Sequence, residues 1–550
     1  SQNPSLHPYS CLTCRNKKKR CDRVYPCTNC FKGSSECIFV PRRPSTRKKL
    51  SLSAMERLGH LEDVIKHMRK DLEGNSPLPL VEMDKAAEQS TNEIENIPAD
   101  PSSHGQNSMS KADGLETEFG RLAIGEGRSR YITSNFWASL NEEVEDLKSL
   151  LEEIPEKSDP PADIGAADLT YIFGPSYSCN ILTGLHPPPD RIPVYWRLYK
   201  DNCDVLIKVL HIPTVEPLVL QATEQLDCIS KGVETLMFAT YFSVVVSLSP
   251  GECMEILGGE KSHLLCTYKF AMEQALTQAR LLETEEMIVL QAFVIYLTGL
   301  RTQCSIRLMW TLTALAVRLA QNAGIHRDGT HFNLSPFTVE MRRRLWWCLC
   351  VLDCRASEDS GYDAAIPREG ADTQLPVNVN DSDLFPSMTA LPEPKSGLTE
   401  MTFSVVRFDA TRTFRRLQYA QAGTIGRCGK FHASQSITEK SQLILKHQER
   451  LQELFLKHRD TSNPFCWYVE AISGIVVTKM WLIAYHPYLR RESCTGLSQD
   501  TRNSLFIGSI SILETWLRLN TEVQTRKWRW LCETYIQWYA ITFVLTELCL

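Results

Sequence analysis

CLTCRNKKKRCDRVYPCTNCFKGSSEC, residues 11–37, holds six of the chain's twenty cysteines. They fall at Cys11, Cys14, Cys21, Cys27, Cys30 and Cys37, so the unit C-x2-C-x6-C occurs twice with five residues between. Cysteine pairs two residues apart, repeated in a short stretch, mark a metal site more often than a disulfide framework in an intracellular chain. Thiolates favour zinc, and structural zinc takes four ligands in a tetrahedron. Six ligands are too many for one such site and too few for two separate ones. Either two of them bridge and the six hold two zincs, or four hold one zinc and two are left over. The strict duplication weighs toward the bridged pair.

Five basic side chains fill the six positions from Arg15 to Arg20, between the second and third cysteines. Residues 1–50 carry twelve Lys/Arg against Asp22 and Glu36. That is +10 on a chain whose formal net charge is −5, so the remaining 500 residues carry −15. A basic head on an acidic body suggests that the head alone meets a polyanion. Six thiolates and two zinc ions together offset only about two of the ten positive charges. DNA phosphates would supply the rest, with counterion release as the driving force.

The full spacing C-x2-C-x6-C-x5-C-x2-C-x6-C resembles the fungal binuclear zinc-cluster (Zn2Cys6) transcription factors. The basic run Arg15, Lys17, Lys18 and Arg20, then Asp22 and the loop proline Pro26, match as well; Asn16 and Lys19 stand where the family varies. The resemblance implies two Zn2+ per chain, bridged by Cys11 and Cys27. Cys14 and Cys21 would complete one site, Cys30 and Cys37 the other. It implies that Lys18 reaches guanine N7/O6 in the major groove of double-stranded DNA, while Arg15, Lys17 and Arg20 position the module on phosphate. It further implies a nuclear, RNA polymerase II type regulator that binds paired CGG-like triplets as a dimer and controls metabolic, including secondary-metabolite, genes.

Outward from the cluster, the DNA-binding domain is expected at 7–40, followed by a basic linker at 41–53 in which Pro41 and Pro44 oppose helix. The basic runs 17–20 and 42–49 would also serve nuclear import. Residues 54–72 form a heptad seam, with Ala54, Leu58, Leu61, Ile65, Met68 and Leu72 at steps of 4, 3, 4, 3 and 4. Periodicity alone fits either a short coiled coil or an amphipathic helix packed on the same chain. Its place just after a zinc module matches the family's dimerisation helix, with Leu58, Leu61, Ile65, Met68 and Leu72 joining a homodimer. Residues 73–118 hold ten acidic residues, two lysines and no Phe, Tyr or Trp. Such a segment buries too little apolar surface to offset its ordering entropy and reads as a disordered acidic linker.

From 120 to 550 the texture becomes helical, with stretches at 195–210, 232–248, 262–281, 304–324, 336–357, 434–457, 464–485 and 505–519, and little strand alternation. Ser335 followed by Pro336 marks a helix start, and an extended loop is expected over about 359–398. The fold class is therefore mostly α: a small zinc module, a short coiled coil, a disordered linker and a large all-α body. That body resembles the fungal-specific transcription factor (middle homology) domain, on GIHRDGTHFNLSPFTVEMRRRLWWCLCVLDCRASEDSG (324–361), SRYITSNFWASL (129–140) and DTQLPVNVNDSDL (372–384). Its LWW element looks like a core helix with an arginine collar.

Several constellations in the body imitate chemistry. His326, Asp328 and His331 suggest metal ligands, Asp353 and Glu358 an acid/base pair, Asp381 and Asp383 a calcium loop. None has a full ligand set. A buried ion pair for Asp353 with Arg355 and Asx turns for Asp381 and Asp383 are the better readings. No Walker loop, dinucleotide fingerprint, nucleophile elbow or zinc-protease helix occurs, so no catalytic residue is assigned. The fourteen cysteines from Cys179 onward suit a reduced core. No secretory signal is visible, and the apolar runs near 237–248 and 539–550 are short for a bilayer span. The expectation is a soluble protein without a membrane segment. The apolar run at the chain end has no stop signal, as a piece of a longer chain would not. The body suits a small-molecule effector or the transcription machinery as partner; a metabolite-processing enzyme tethered to the DNA-binding head is the rival reading.

Overall fold

The structure is a computed structural model that describes residues 14, 21–24, 27–33, 37, 121–125, 128–132, 180–367, 370–419, 436–489 and 497–549. The chain divides into two compact units, 1–78 and 79–550. Cys11, the basic run 15–20, the linker 41–53, the seam 54–72 and the acidic stretch 73–118 lie outside the described residues. In the first unit the described helix is α1, Thr28–Lys32. Cys27 caps it: its Sγ accepts from the Cys30 amide at 3.5 Å.

The second unit is helical. Apart from helical turns of three or four residues and two π-helical turns of five, it comprises α2 Ile192–Tyr199, α3 Ile212–Glu224, α4 Lys231–Ser247, α5 Lys261–Gln278, α6 Met287–Leu300 and α7 Ile306–Asn322. There follow α8 Pro336–Ser360, α9 Thr402–Tyr419, α10 Ile437–Leu454, α11 Pro464–Leu489, α12 Gln499–Thr521, α13 Arg529–Glu533 and α14 Trp538–Cys549. Helices adjacent in sequence mostly pack on one another: α4 meets α5 and α6, α7 meets α8, α8 meets α9, and α10 to α12 follow in turn. One continuous apolar core runs from Leu182 to Phe543, with Trp346 and Trp481 fully buried in it.

All eight periodic stretches are helical, though the first is broken. After α2 a π-helical turn, Lys200–Asp204, carries Asn202, Cys203 and Asp204 inside, and the chain leaves the helix at Lys208 with φ 21°. The start of α8 is as expected: Ser335 Oγ accepts from the Thr338 amide at 3.3 Å, with Pro336 in the first turn. Gly361 ends α8 at φ 71°, a left-handed conformation that costs glycine little.

Several helices escape the periodicity, α3, α6 and α9 among them. In α6 twelve of fourteen residues are buried, so no polar face interrupts the apolar run. In α3 Pro213 and Pro217 mask a helix that carries Pro217 within it. In α9 threonines and β-branched residues, poor helix formers alone, are held by tertiary packing. Two strands also break the expected all-α texture of 120–550: β1 Arg121–Gly125 pairs antiparallel with β2 Arg128–Ile132, Arg121 opposite Ile132 and Gly125 opposite Arg128. Helix α11, rather than the two shorter runs, contains a segment long and apolar enough to cross a membrane by length and composition. Most of that segment is buried within the body, as in a core helix of a water-soluble protein.

Candidate metal centre

In the first unit the buried residues among those described are four cysteines: Cys14, Cys27, Cys30 and Cys37. Cys21 packs half-buried against them. The large apolar side chain Phe31 instead points outward, 73% exposed. Sulfur thus takes the place of a hydrocarbon core.

The spacing of the sulfurs fits zinc. With Zn–S at about 2.3 Å, the edge of a tetrahedron of thiolates is about 3.8 Å. Cys14 Sγ lies 3.5 Å from Cys27 Sγ and 4.0 Å from Cys30 Sγ. The donor atoms form two groups, Cys14–Cys27–Cys30 and Cys21–Asp22–Cys27, each within 4.8 Å, and Cys27 belongs to both. Two amides point at the sulfurs: Cys30 N–H donates to Cys27 Sγ and Cys27 N–H to Cys37 Sγ at 3.3 Å. Such bonds favour thiolate, the form that binds metal. Cys14 stands beside Cys30, which the family resemblance places on the neighbouring zinc.

Asp22, which the spacing did not single out as a site residue, ties the two halves together. Its Oδ2 accepts from the Thr28 amide at 2.9 Å and from the Thr28 hydroxyl, and these bonds hold its carboxyl below its ordinary range. No periodicity or ligand spacing predicts a bond between Asp22 and Thr28.

The constellations of the body resolve into structural ion pairs. Three successive arginines of α8 take three different partners. Arg342 donates to the Ala323 carbonyl at 2.9 Å. Arg343 grips Asp328 bidentately at 2.8 and 3.0 Å. Arg344, fully buried, donates to Asp381 at 2.7 Å and to Glu340 at 3.3 Å. Asp328 also accepts from the Gln374 amide and Thr330, while His331 is exposed beside Asp372 at 3.5 Å. These residues form no metal set.

Asp381 is neither a calcium ligand nor an Asx turn. Its carboxylate joins Arg344, Lys208 at 2.8 Å and the Ile212 amide at 2.9 Å, clamping the long loop to the core. Asp383 makes no Asx turn either: its carboxylate reaches back to the Asn380 amide at 2.9 Å and closes a capping box with Asn380. Asp353 and Arg355 are both buried but do not pair. Asp353 accepts from the Ala365 and Ile366 amides at 2.8 and 2.9 Å, whereas Arg355 meets Glu358 at 3.4 Å and Asp359 at 3.0 Å. A helix places residues three and four apart on one face, so 355 faces 358 and 359 rather than 353.

Comparison with known proteins agrees with this geometry. The family described as "Fungal Zn(2)-Cys(6) binuclear cluster domain" matches residues 9–47, and "Fungal specific transcription factor domain" matches 262–409. The chain is similar to "Aurofusarin cluster transcription factor aurR2" of Gibberella zeae, 27% identical over 516 residues, covering 92% of this chain and 67% of that protein. It is 30% identical over 406 residues to "Pyriculol/pyriculariol biosynthesis cluster transcription factor 1" of Pyricularia oryzae, covering 72% and 52%. It is 26% identical over 599 residues to "C6 finger domain transcription factor adaR" of Aspergillus niger, covering 98% and 75%.

A sulfur-cored basic module ahead of a large helical body is the architecture of a DNA-binding regulator. The chain carries the binuclear zinc-cluster domain of fungal transcription factors, which binds two zinc ions, together with their fungal-specific transcription factor domain. It is a transcription factor rather than an enzyme, with a function in the nucleus.

Proposed function

We propose that the chain reads paired CGG-like triplets as a homodimer and regulates a set of biosynthetic genes for a secondary metabolite. The observation that carries this reading is that the described residues of the module bury sulfur rather than hydrocarbon. A fold held by metal needs no apolar face, so its surface is free for Arg15, Lys17, Lys18 and Arg20. In this reading Cys11 and Cys27 bridge, and the presence of Cys27 in both donor groups supports its part. Zinc, when bound, cross-links the two cysteine loops and thereby holds the basic segment in shape. Lys18 reads a guanine edge, and Arg15, Lys17 and Arg20 bind phosphate. Residues 54–72 join two modules, because one triplet at about 1–3 kcal/mol per base pair cannot compete with genomic nonspecific sites. The basic runs at 17–20 and 42–49 direct the chain to the nucleus. Relatives whose names refer to aurofusarin and pyriculol clusters support the choice of target genes. The helical body is the regulatory region, answering to a small molecule or to the transcription machinery.

The test separates the basic side chains on the full zinc-loaded chain. Lys18→Ala should lose about 1–3 kcal/mol and relax preference at one base position. Arg20→Ala should weaken binding to all sequences alike and lower the salt slope by about one. Identical behaviour of the two variants in binding titrations across salt would overturn the assigned roles.

A further inference from the structure

Two cavities share one residue, Arg355: one lies among α8, α9, α11, α12 and residues 531–537, the other among residues 301–309, α8 and residues 533–538. The larger, about 400 Å3, is lined among others by Arg301, Cys304, Met309, Asp359 and Trp538. The smaller, about 100 Å3, lies among apolar and aromatic side chains that include Phe414, Ile472, Val476 and Leu519. A site of several hundred Å3 with apolar walls and a few convergent polar groups suits a small molecule.

Charge around these cavities does not balance. Arg301, Arg355, Arg407 and Lys479 face two largely buried carboxylates, Glu358 and Asp359. Asp359 serves both Arg301 and Arg355; Glu358 serves Arg355 and Lys479. Arg407 donates to the Leu206 carbonyl at 2.9 Å and the Tyr535 hydroxyl at 3.3 Å, and to no carboxylate among the described residues. Glu533 on the rim is half-exposed and already paired with Arg529 at 2.7 Å. Arg355, 5% exposed, has an Nε without a hydrogen-bond partner.

The aromatic floor registers this excess. Tyr535 lies under the Arg355 guanidinium at 4.1 Å, with Arg301 at 5.5 Å. Burial pushes the Tyr535 phenol up, yet Arg407, Arg301 and Arg355 together bring it below its ordinary value. Burial and the neighbouring Arg355 likewise push Arg301 down. Surplus positive charge on side chains as buried as Arg301 and Arg355 is costly unless an anion joins it. Guanidinium groups are the side chains best suited to hold a carboxylate.

We propose that this Arg355-centred site binds a small amphipathic organic anion, a carboxylate or acidic phenol on an apolar body. The anionic group sits against Arg355 and Arg301, and the apolar body occupies the larger cavity. This deepens the reading of the body as a regulatory region and names its ligand class. It is independent of DNA recognition, which is measured separately on the same protein.

The test uses the full zinc-loaded chain and three acids, salicylate, 1-naphthoate and octanoate, each beside its neutral amide. Binding is followed by calorimetry and by quenching of tryptophan fluorescence, with Trp516 and Trp538 in the cavity walls. At least one acid should bind one-to-one and at least tenfold more tightly than its amide. Ile536→Trp, which narrows the larger cavity and keeps every charge, should weaken that acid at least tenfold while zinc content and DNA affinity hold. Arg355→Gln should bring acid and amide to parity. If Arg355→Gln fails to fold, the amide comparison and Ile536→Trp still decide. Absence of saturable binding by all three acids, equal binding of acids and amides, or indifference to Ile536→Trp would each overturn the proposal.

Discussion

Cys27 carries more of the small module than any other described residue. It caps α1 with its sulfur, is fully buried, and belongs to both groups of metal-donor atoms. A bridging thiolate touches two metals, so its loss should be felt twice. In the bridged reading, Cys27→Ala strips a ligand from both zincs and should leave the purified chain close to zinc-free. Cys37→Ala removes a ligand from one site and should leave about one zinc per chain. Metal analysis after gel filtration distinguishes the two, and equal zinc loss would contradict bridging by Cys27. The cysteine cluster was legible because metal coordination imposes spacing on the sequence itself. Asp22 was not, because its bond to Thr28 depends on a loop bringing them together. Asp353 and Arg355 teach the same lesson within a helix. Their burial was foreseeable from the apolar pattern, but their partners lie on faces that only packing reveals.

Among the elements, legibility followed amphipathicity. Helices with one wet face, such as α7 and α10, announced themselves through a 3.6-residue period. Helix α6 did not, because it is wet on almost no side, and α3 was hidden by its prolines. The loop before α9 was foreseen, whereas its clamp was not, since Asp381 meets Lys208 and Arg344 from far along the chain. The seam at 54–72, outside the described residues, is the element whose role most needs measurement. Its three heptads are marginal for a stable coiled coil, so dimers should form chiefly on DNA, where a second half-site raises effective concentration. Leu61→Asp with Ile65→Asp places two charges in that seam. The double variant should keep its zinc and its contact with a single triplet but lose the preference for paired triplets. Footprints that stay paired and equally tight would mean that the seam packs on its own chain instead.

At the scale of the whole molecule, buried acids make the body's stability depend on pH in a defined order. Asp409 joins α9 to α10 by accepting from His447 at 2.6 Å and Arg450 at 3.1 Å, and it also meets Arg412. Burial opposes its charge, but His447 and the arginines prevail and hold its carboxyl at about 2. Asp381 is held at about 2 as well, where Arg344 and Lys208 outweigh burial. Both folded values lie below the ordinary 3.8, so between about 4 and 2 the unfolded chain binds more protons. Their stabilisation is complete above about pH 4 and vanishes as pH falls through 2, on the order of 2 kcal/mol for each. Asp204 acts in the opposite sense: burial pushes it up to about 6, against the pull of Lys208. It takes up a proton in the folded state first, so falling pH favours folding between about 6 and 4. Stability should therefore hold or rise slightly from pH 7 to 5 and then collapse below 4. All eleven tryptophans lie at 137 or beyond, so their fluorescence follows the second unit even as acid strips the zinc module. Asp409→Asn should be less stable at pH 7 yet show a shallower acid limb, because one of the two titrating clamps is gone. Urea titrations of both proteins at pH 7, 5, 4 and 3 measure this directly. A steady decline from pH 7 to 5, or an unchanged acid limb in Asp409→Asn, would show that the acid sensitivity of the body arises from other groups.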